Sequence, residues 1–89
     1  MGDIKELRKT LMDIFKVNMT VRVELFDNTI YYLSRRALDV GEVREIIEGR
    51  EITDIFDDIK MTKDKITIEK FDRQIFTINT EDILHWEVI

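Results

Sequence analysis

Apolar residues between Ile59 and Val88 must meet on one face, and this requirement constrains the fold more tightly than any other feature of the chain, because in a strand a one-residue slip reverses every side chain. With Lys63-Asp64 as a two-residue turn, Met61 opposes Ile66 and Ile59 opposes Ile68, all on one side. A two-residue turn at Asp72-Arg73 would send Phe76 and Ile78 to the wrong side. A three-residue turn Phe71-Asp72-Arg73 instead sets Ile68 opposite Phe76 and Ile66 opposite Ile78. A similar turn at Thr80-Glu81-Asp82 pairs Ile78 with Leu84, Phe76 with Trp86 and Gln74 with Val88. The reverse face then carries Lys60, Thr62, Lys65, Thr67, Glu69, Thr77, His85 and Glu87, the polar side of a sheet solvated on one face.

The residue palette agrees with a strand-rich chain. Ile, Val and Thr fill 28 of 89 positions, against one Ala and no Pro, and β-branched side chains favour strands. Asp3 with Glu6 makes a capping-box-like start for a helix carrying Ile4, Leu7, Leu11, Ile14 and Phe15 to about Val17, where Asn18 suits a left-handed cap. Thr20 to Phe26 reads as a strand, Asp27-Asn28 as a turn and Thr29 to Ser34 as the partner strand. A second capping box, Asp39 to Glu42, predicts a short helix bearing Val40, Val43, Ile46 and Ile47 and closed by Gly49. Segment Ile52 to Asp58 fits either a helical turn or the lead-in to a strand. The expected fold is therefore α+β over a single domain, residues 1–89. It has an N-terminal helix, a β-hairpin, a short helix and a C-terminal antiparallel β-meander forming a small twisted sheet or half-open barrel.

A helix followed by about five short strands, with a tight turn before the last, resembles the small Sm-like and SH3-like barrels. Sm-like proteins grip RNA through a basic, glycine-containing loop before the final strand. At that place this chain has Asn79-Thr80-Glu81-Asp82, which is acidic, and a helix is expected between the second and third strands. No binding residue is therefore carried over.

Charge narrows the function further. Met1 to Arg36 holds seven Lys/Arg against five Asp/Glu, and Ala37 to Ile89 holds seven against fourteen, so the first part is +2 and the remainder −7. A net charge of −5 opposes the phosphate backbone, which disfavours direct nucleic-acid binding. Whole-face mimicry of DNA is also disfavoured, because a face of about 30 Å would need roughly 18 negative charges. This chain's 19 acids are offset by 14 bases, which leaves only local mimicry by the Glu51 to Asp58 region. There is no cysteine, and the longest apolar run falls far short of the ~20 residues that span a bilayer. With no apolar leader in MGDIKELRK, the expectation is a cytoplasmic protein with no membrane association.

Catalytic chemistry has little material to work with. Ser34 and His85 are the sole serine and histidine, and no G-x-S-x-G, P-loop, G-x-G-x-x-G or H-E-x-x-H motif occurs. The expectation is no enzyme, no cofactor and no metal site, with a face of His85, Thr77 and Glu87 as the remaining catalytic candidate. The densest acidic cluster is Glu51, Asp54, Asp57 and Asp58, whose aspartates would share a face on a helical turn but lack the spacing and glycine of a calcium loop. In the simple register of the first hairpin, Val21, Val23, Leu25, Ile30 and Tyr32 form one side. Phe26, Tyr31 and Leu33 lie with Arg22 and Glu24 on the other. Arg35 and Arg36 end that strand in solvent, or else anchor a phosphate or the acidic half of a neighbouring copy.

These features predict a small acidic protein-binding module whose partner has a basic surface, with Glu51, Asp54, Asp57, Asp58, Phe26, Tyr31, Leu33, Arg35 and Arg36 as candidate partner-binding residues. In composition it resembles accessory proteins of phages and mobile elements that block the nucleic-acid-binding surface of a host protein. The alternative is a homo-oligomeric, barrel-like protein that holds a small ligand.

Overall fold

Asp3 opens the first element as its sequence predicts. In the computed structural model, which describes residues 3–89, its carboxylate accepts from the Glu6 N–H at 3.0 Å and helix α1 (Ile4–Met12) follows, burying Leu7 and Leu11. The helix stops earlier than its apolar spacing suggests. Beyond Met12 the chain tightens into turns, with the Lys16 and Val17 N–H groups both donating to the Asp13 carbonyl, and Asn18 does not take the left-handed conformation. The Arg35 guanidinium, reaching across from a strand, donates to the Phe15 carbonyl at 3.2 Å and fixes this exit.

Eight strands follow: β1 (Thr20–Leu25), β2 (Ile30–Ala37), β3 (Val40–Ile47), β4 (Arg50–Phe56), β5 (Asp58–Met61), β6 (Lys65–Lys70), β7 (Arg73–Asn79) and β8 (Ile83–Val88), with one 3-10 turn at Thr80–Asp82 before the last. They form a five-stranded antiparallel sheet in the order β4-β3-β2-β1-β8 and a three-stranded one in the order β5-β6-β7. Both contribute to one hydrophobic core together with Leu7, Leu11 and Ile14. The sheets do not close into a barrel.

The predicted short helix over 39–49 is replaced by strand β3 between two turns. Asp39 at φ 59° and Glu48-Gly49 at φ 49° and 79° are left-handed turn residues, so the residues read as helix caps are hairpin corners. Val40, Val43, Ile46 and Ile47 are all β-branched, which weakens a helix and suits a strand. The open segment Ile52–Asp58 resolves into β4, a break at Asp57 and the start of β5.

The first hairpin is also shifted by one residue. Its loop is Phe26-Asp27-Asn28, with Asn28 at φ 72° and the Leu25 N–H donating to the Thr29 carbonyl at 2.8 Å. Val21 thus opposes Leu33 and Val23 opposes Tyr31. Tyr31 and Leu33 enter the core at 5% and 0% exposure, while Ile30 and Tyr32 turn outward with Arg22 and Glu24. The β5–β6 register matches expectation, with Ile59 opposite Ile68 and Met61 opposite Ile66. In β6–β7 the expected pairs Ile66–Ile78 and Ile68–Phe76 are present. They arise from a two-residue turn, Phe71-Asp72, plus a bulge at Ile75, which has the parity of a three-residue turn.

The last strand departs most from expectation. The 3-10 turn carries β8 to the other sheet, so Trp86 opposes Val23 and Glu87 opposes Arg22, and the predicted pairing of β8 with β7 is absent. Trp86 is buried as expected, but against a different neighbour.

Phe56 closes the corner where β4 passes into β5. It lies directly across from Gly41, and a Cβ on Gly41 would overlap its ring, so the ring occupies the space a side chain on β3 would fill. Phe15 packs on it at a centroid distance of 5.7 Å. Asp57 then stitches the corner: its N–H donates to the Glu69 carbonyl at 3.0 Å and its carboxylate accepts from the Phe71 N–H at 3.1 Å. We expect Phe56→Ala to cost about 3–5 kcal/mol and Gly41→Ala about 1–3 kcal/mol through overpacking. In a double-mutant cycle read by urea denaturation, most of the Gly41→Ala cost should vanish in the Phe56→Ala background; additive costs would show that the ring is not what excludes the methyl group.

Candidate functional site

The meander brings separate loops to one end of the five-stranded sheet. The β1–β2 and β3–β4 turns emerge side by side there, because Ile30 opposes Ile46. Since β8 runs antiparallel to β1 and Ile83 opposes Leu25, the 3-10 turn reaches the same end. The Phe26 N–H donates to the Asp82 carbonyl at 3.0 Å, joining two of these loops directly.

This rim is acidic and carries exposed apolar side chains. Asp27, Glu48, Glu81 and Asp82 oppose the single cation of Arg50 within the three loops, and the adjoining Lys63-Asp64 turn adds one charge of each sign. That turn is tied in by Thr80, whose N–H donates to the Asp64 carbonyl at 2.9 Å and whose hydroxyl donates to the Lys63 carbonyl at 2.6 Å. Phe26 is 66% exposed although its backbone is fixed on both sides. Leu84, 51% exposed, is the extra residue of a bulge in β8 and is pushed out of the ladder. Beneath them Tyr31 packs edge-on to Phe76 at 5.9 Å, and its hydroxyl donates to the Glu45 carboxylate at 2.5 Å. Burial and that carboxylate push the Tyr31 hydroxyl well above its ordinary pKa, so it stays protonated and acts as a donor.

Of the residues singled out from sequence, only Phe26 belongs to this rim. The acidic cluster is dispersed by its strand geometry. Glu51 faces Arg44 at 3.5 Å on the outer side of the sheet, Asp54 lies 4.0 Å from Lys70, Asp57 is engaged at the corner and the Asp58 carboxylate accepts from the Ile59 N–H. Among the described residues, no group of three or more acidic, His or Cys side chains is arranged to hold a metal ion. Tyr31 and Leu33 are core residues, Arg35 holds the helix exit, and Arg36 is exposed as the extra residue of a bulge in β2. Sequence reasoning noted the acidic Glu81-Asp82 turn without giving it a binding role and missed Asp27, Glu48 and Leu84. Their proximity depends on strand order, which local patterning does not encode.

The outer face of the five-stranded sheet is internally paired. Arg44 lies 4.8 Å over the Tyr32 ring, while Arg22 meets Glu24 at 3.3 Å and Glu87 at 3.9 Å. The Tyr32 hydroxyl and Glu24 hold the Arg22 guanidinium still more firmly protonated. His85 lies 3.8 Å from Glu87 on this face and opposite Glu24, whereas Thr77 opposes Thr67 on the other sheet. The expected His85–Thr77 neighbourhood does not form. Nor do Ser34 and His85 meet, because Ser34 opposes Thr20 and His85 opposes Glu24, with β1 between them. A shallow, open depression of about 600 Å3 runs along the solvent side of α1, lined by Lys5, Arg8, Lys9, Met12 and Asp13.

No protein-family model, curated protein or solved structure matches this chain. No helix among the described residues is long and apolar enough to cross a membrane.

Asp27 supplies a pH test of the rim. The Thr29 N–H donates to its carboxylate at 3.0 Å and holds its pKa below the ordinary 3.8. A lowered carboxylate pKa stabilises the fold above the unfolded value and loses that contribution as pH falls through the folded one. An NMR titration should therefore find Asp27 more than half ionised at pH 3.8, with the midpoint of the Thr29 amide shift below that pH. A midpoint at or above the ordinary value would show that the turn does not hold this carboxylate.

Proposed function

We propose that this protein is a non-enzymatic protein-binding module that uses its acidic, apolar-studded rim to occupy a cationic surface of its partner. One observation carries the reading: Phe26, its backbone tied to Asp82, and Leu84, the extra residue of a bulge, are exposed at the end of the sheet where the loops carrying Asp27, Glu48, Glu81 and Asp82 emerge. Aromatic and leucine side chains fixed in water cost free energy that burial against a partner regains. Surrounding carboxylates steer a Lys- and Arg-rich surface and reject acidic ones. Such a surface is what a nucleic-acid-binding protein presents, so the module would compete with nucleic acid for it. A ligand-holding barrel is less well supported, since the strands form two sheets and Leu33, Phe56, Ile66, Ile68 and Ile78 fill the interior.

The test begins by immobilising the protein, exposing it to a lysate of its native organism or host, identifying the stoichiometric partner by mass spectrometry and measuring its affinity. Glu48→Gln with Glu81→Gln should weaken binding about tenfold at low salt, and the difference should close at about 0.5 M salt. Phe26→Ala and Leu84→Ala should each weaken it by about 1–2 kcal/mol at both salt concentrations. A partner indifferent to all four substitutions, or none retained, would remove the proposal.

A further inference from the structure

Strand β4 ends the five-stranded sheet, and its outer edge has neither a bulge nor a proline to block pairing, while its charges, Arg50, Glu51 and Asp54, are of mixed sign. Its sequence, REITDIF, contains no Lys or Pro, and its register with β3 runs unbroken from Gly41–Phe56 to Ile47–Arg50. The other edge of this sheet, β8, is interrupted by the bulge at Leu84. Because Ile47 and Arg50 close a two-residue turn, Arg50, Ile52 and Asp54 direct their backbone groups toward β3, whereas Glu51 and Thr53 direct theirs outward. Residues 50–53 are exposed, and exposure ends at Phe56 where the strand bends into the corner. The open edge is therefore the first half of the strand.

We propose that this edge pairs antiparallel with the same edge of a second copy of this chain, with the two-fold axis at Ile52. In that register Glu51 of each copy exchanges backbone hydrogen bonds with Thr53 of the other, which uses the outward-facing groups. On the core-facing side Ile52, 48% exposed in the single chain, meets its own copy, with Ile47 flanking it. Arg50 opposes the second copy's Asp54, and the reciprocal pair forms on the other side of the axis. Arg50 has no ion pair among the described residues; Asp54 Oδ1 accepts from the Ile55 N–H at 2.8 Å and lies 4.0 Å from Lys70, which leaves Oδ2 to receive the second copy's Arg50. Moving the axis one residue to Thr53 sets Ile52 against Asp54 and Arg50 against Phe56, and it draws the buried corner into the pairing. The side chains therefore select the Ile52 register, in the isologous manner of a two-fold contact. The contact is short, so a dissociation constant on the order of 100 µM is expected.

Sedimentation equilibrium tests this directly. The wild-type chain should move from monomer to dimer as concentration rises, and Arg50→Asp or Asp54→Arg alone should raise the dissociation constant by roughly 30-fold, because each sets like charges against each other at two places. An equimolar mixture of the two variants should restore the dimer, since each of the two charge pairs flanking the axis then again holds one acid and one base. Arg50 is exposed, so Arg50→Asp should melt as the wild type does; if Asp54→Arg fails to fold, a second measurement decides. The chain has no cysteine, so Ile52→Cys should oxidise to a symmetric disulfide dimer, while Thr53→Cys should not. A mass that stays monomeric up to about 1 mM, or a dimer unmoved by Arg50→Asp with no disulfide from Ile52→Cys, would overturn the proposal.

Discussion

The ring of Phe56 lying on Gly41 is the contact on which the two-sheet arrangement depends. Gly41 leaves a hole in the inner face of β3, and Phe56 fills it from the adjacent strand just before the chain breaks at Asp57 and starts the second sheet. Apolar burial fixes the ring, Phe15 from the helix exit presses on it, and the hydrogen bonds of Asp57 to Glu69 and Phe71 hold the new strand direction. One ring thus joins the helix exit, the five-stranded sheet and the corner leading to the three-stranded sheet. A side chain at position 41 would drive it out, and the corner would lose its apolar anchor.

Parity governs the rest. Each strand has one face for the core, and wherever a turn does not deliver the right face, a single extra residue corrects it. Arg36, Ile75 and Leu84 are those residues, in β2, β7 and β8. Ile75 returns Phe76 and Ile78 to the core, whereas Leu84 is left outside. The bulge that helps Trp86 reach Val23 therefore also creates part of the acidic rim. Packing and surface chemistry come from the same irregularity.

The charge distribution acquires meaning only once strand order is known. Along the chain the acids are densest from Glu51 to Asp58, yet strand alternation and the corner send those carboxylates to different faces and engage most of them within the chain. The carboxylates that gather in space come from three loops distant in sequence. They emerge at the same end of the sheet as the exposed Phe26 and Leu84.

Much of the fold is legible from local patterns. The Asp3 cap, the Leu7–Leu11 stripe, both strands of the first hairpin and the β5–β6 register follow from residue type and spacing, because they involve neighbours along the chain. The strand at 40–47 reads as a helix because Asp39 and Gly49 serve equally as helix caps or hairpin corners, and a spacing of three and four residues also occurs by chance in a β-branched strand. The destination of β8 is invisible for a different reason. Ile83 to Val88 offers the same apolar face to either sheet, and only the competition between β7 and β1 for that face, decided by the 3-10 turn and the burial of Trp86 against Val23, places it. A short N-terminal helix and amphipathic strands around one small core are written into the residues themselves, since local propensity and the need to bury apolar side chains leave little choice. Which strands become neighbours, and therefore which loops share a rim and which edge stays open, is settled only in the folded molecule, because those outcomes depend on free-energy differences between long-range pairings that look alike from within any one segment.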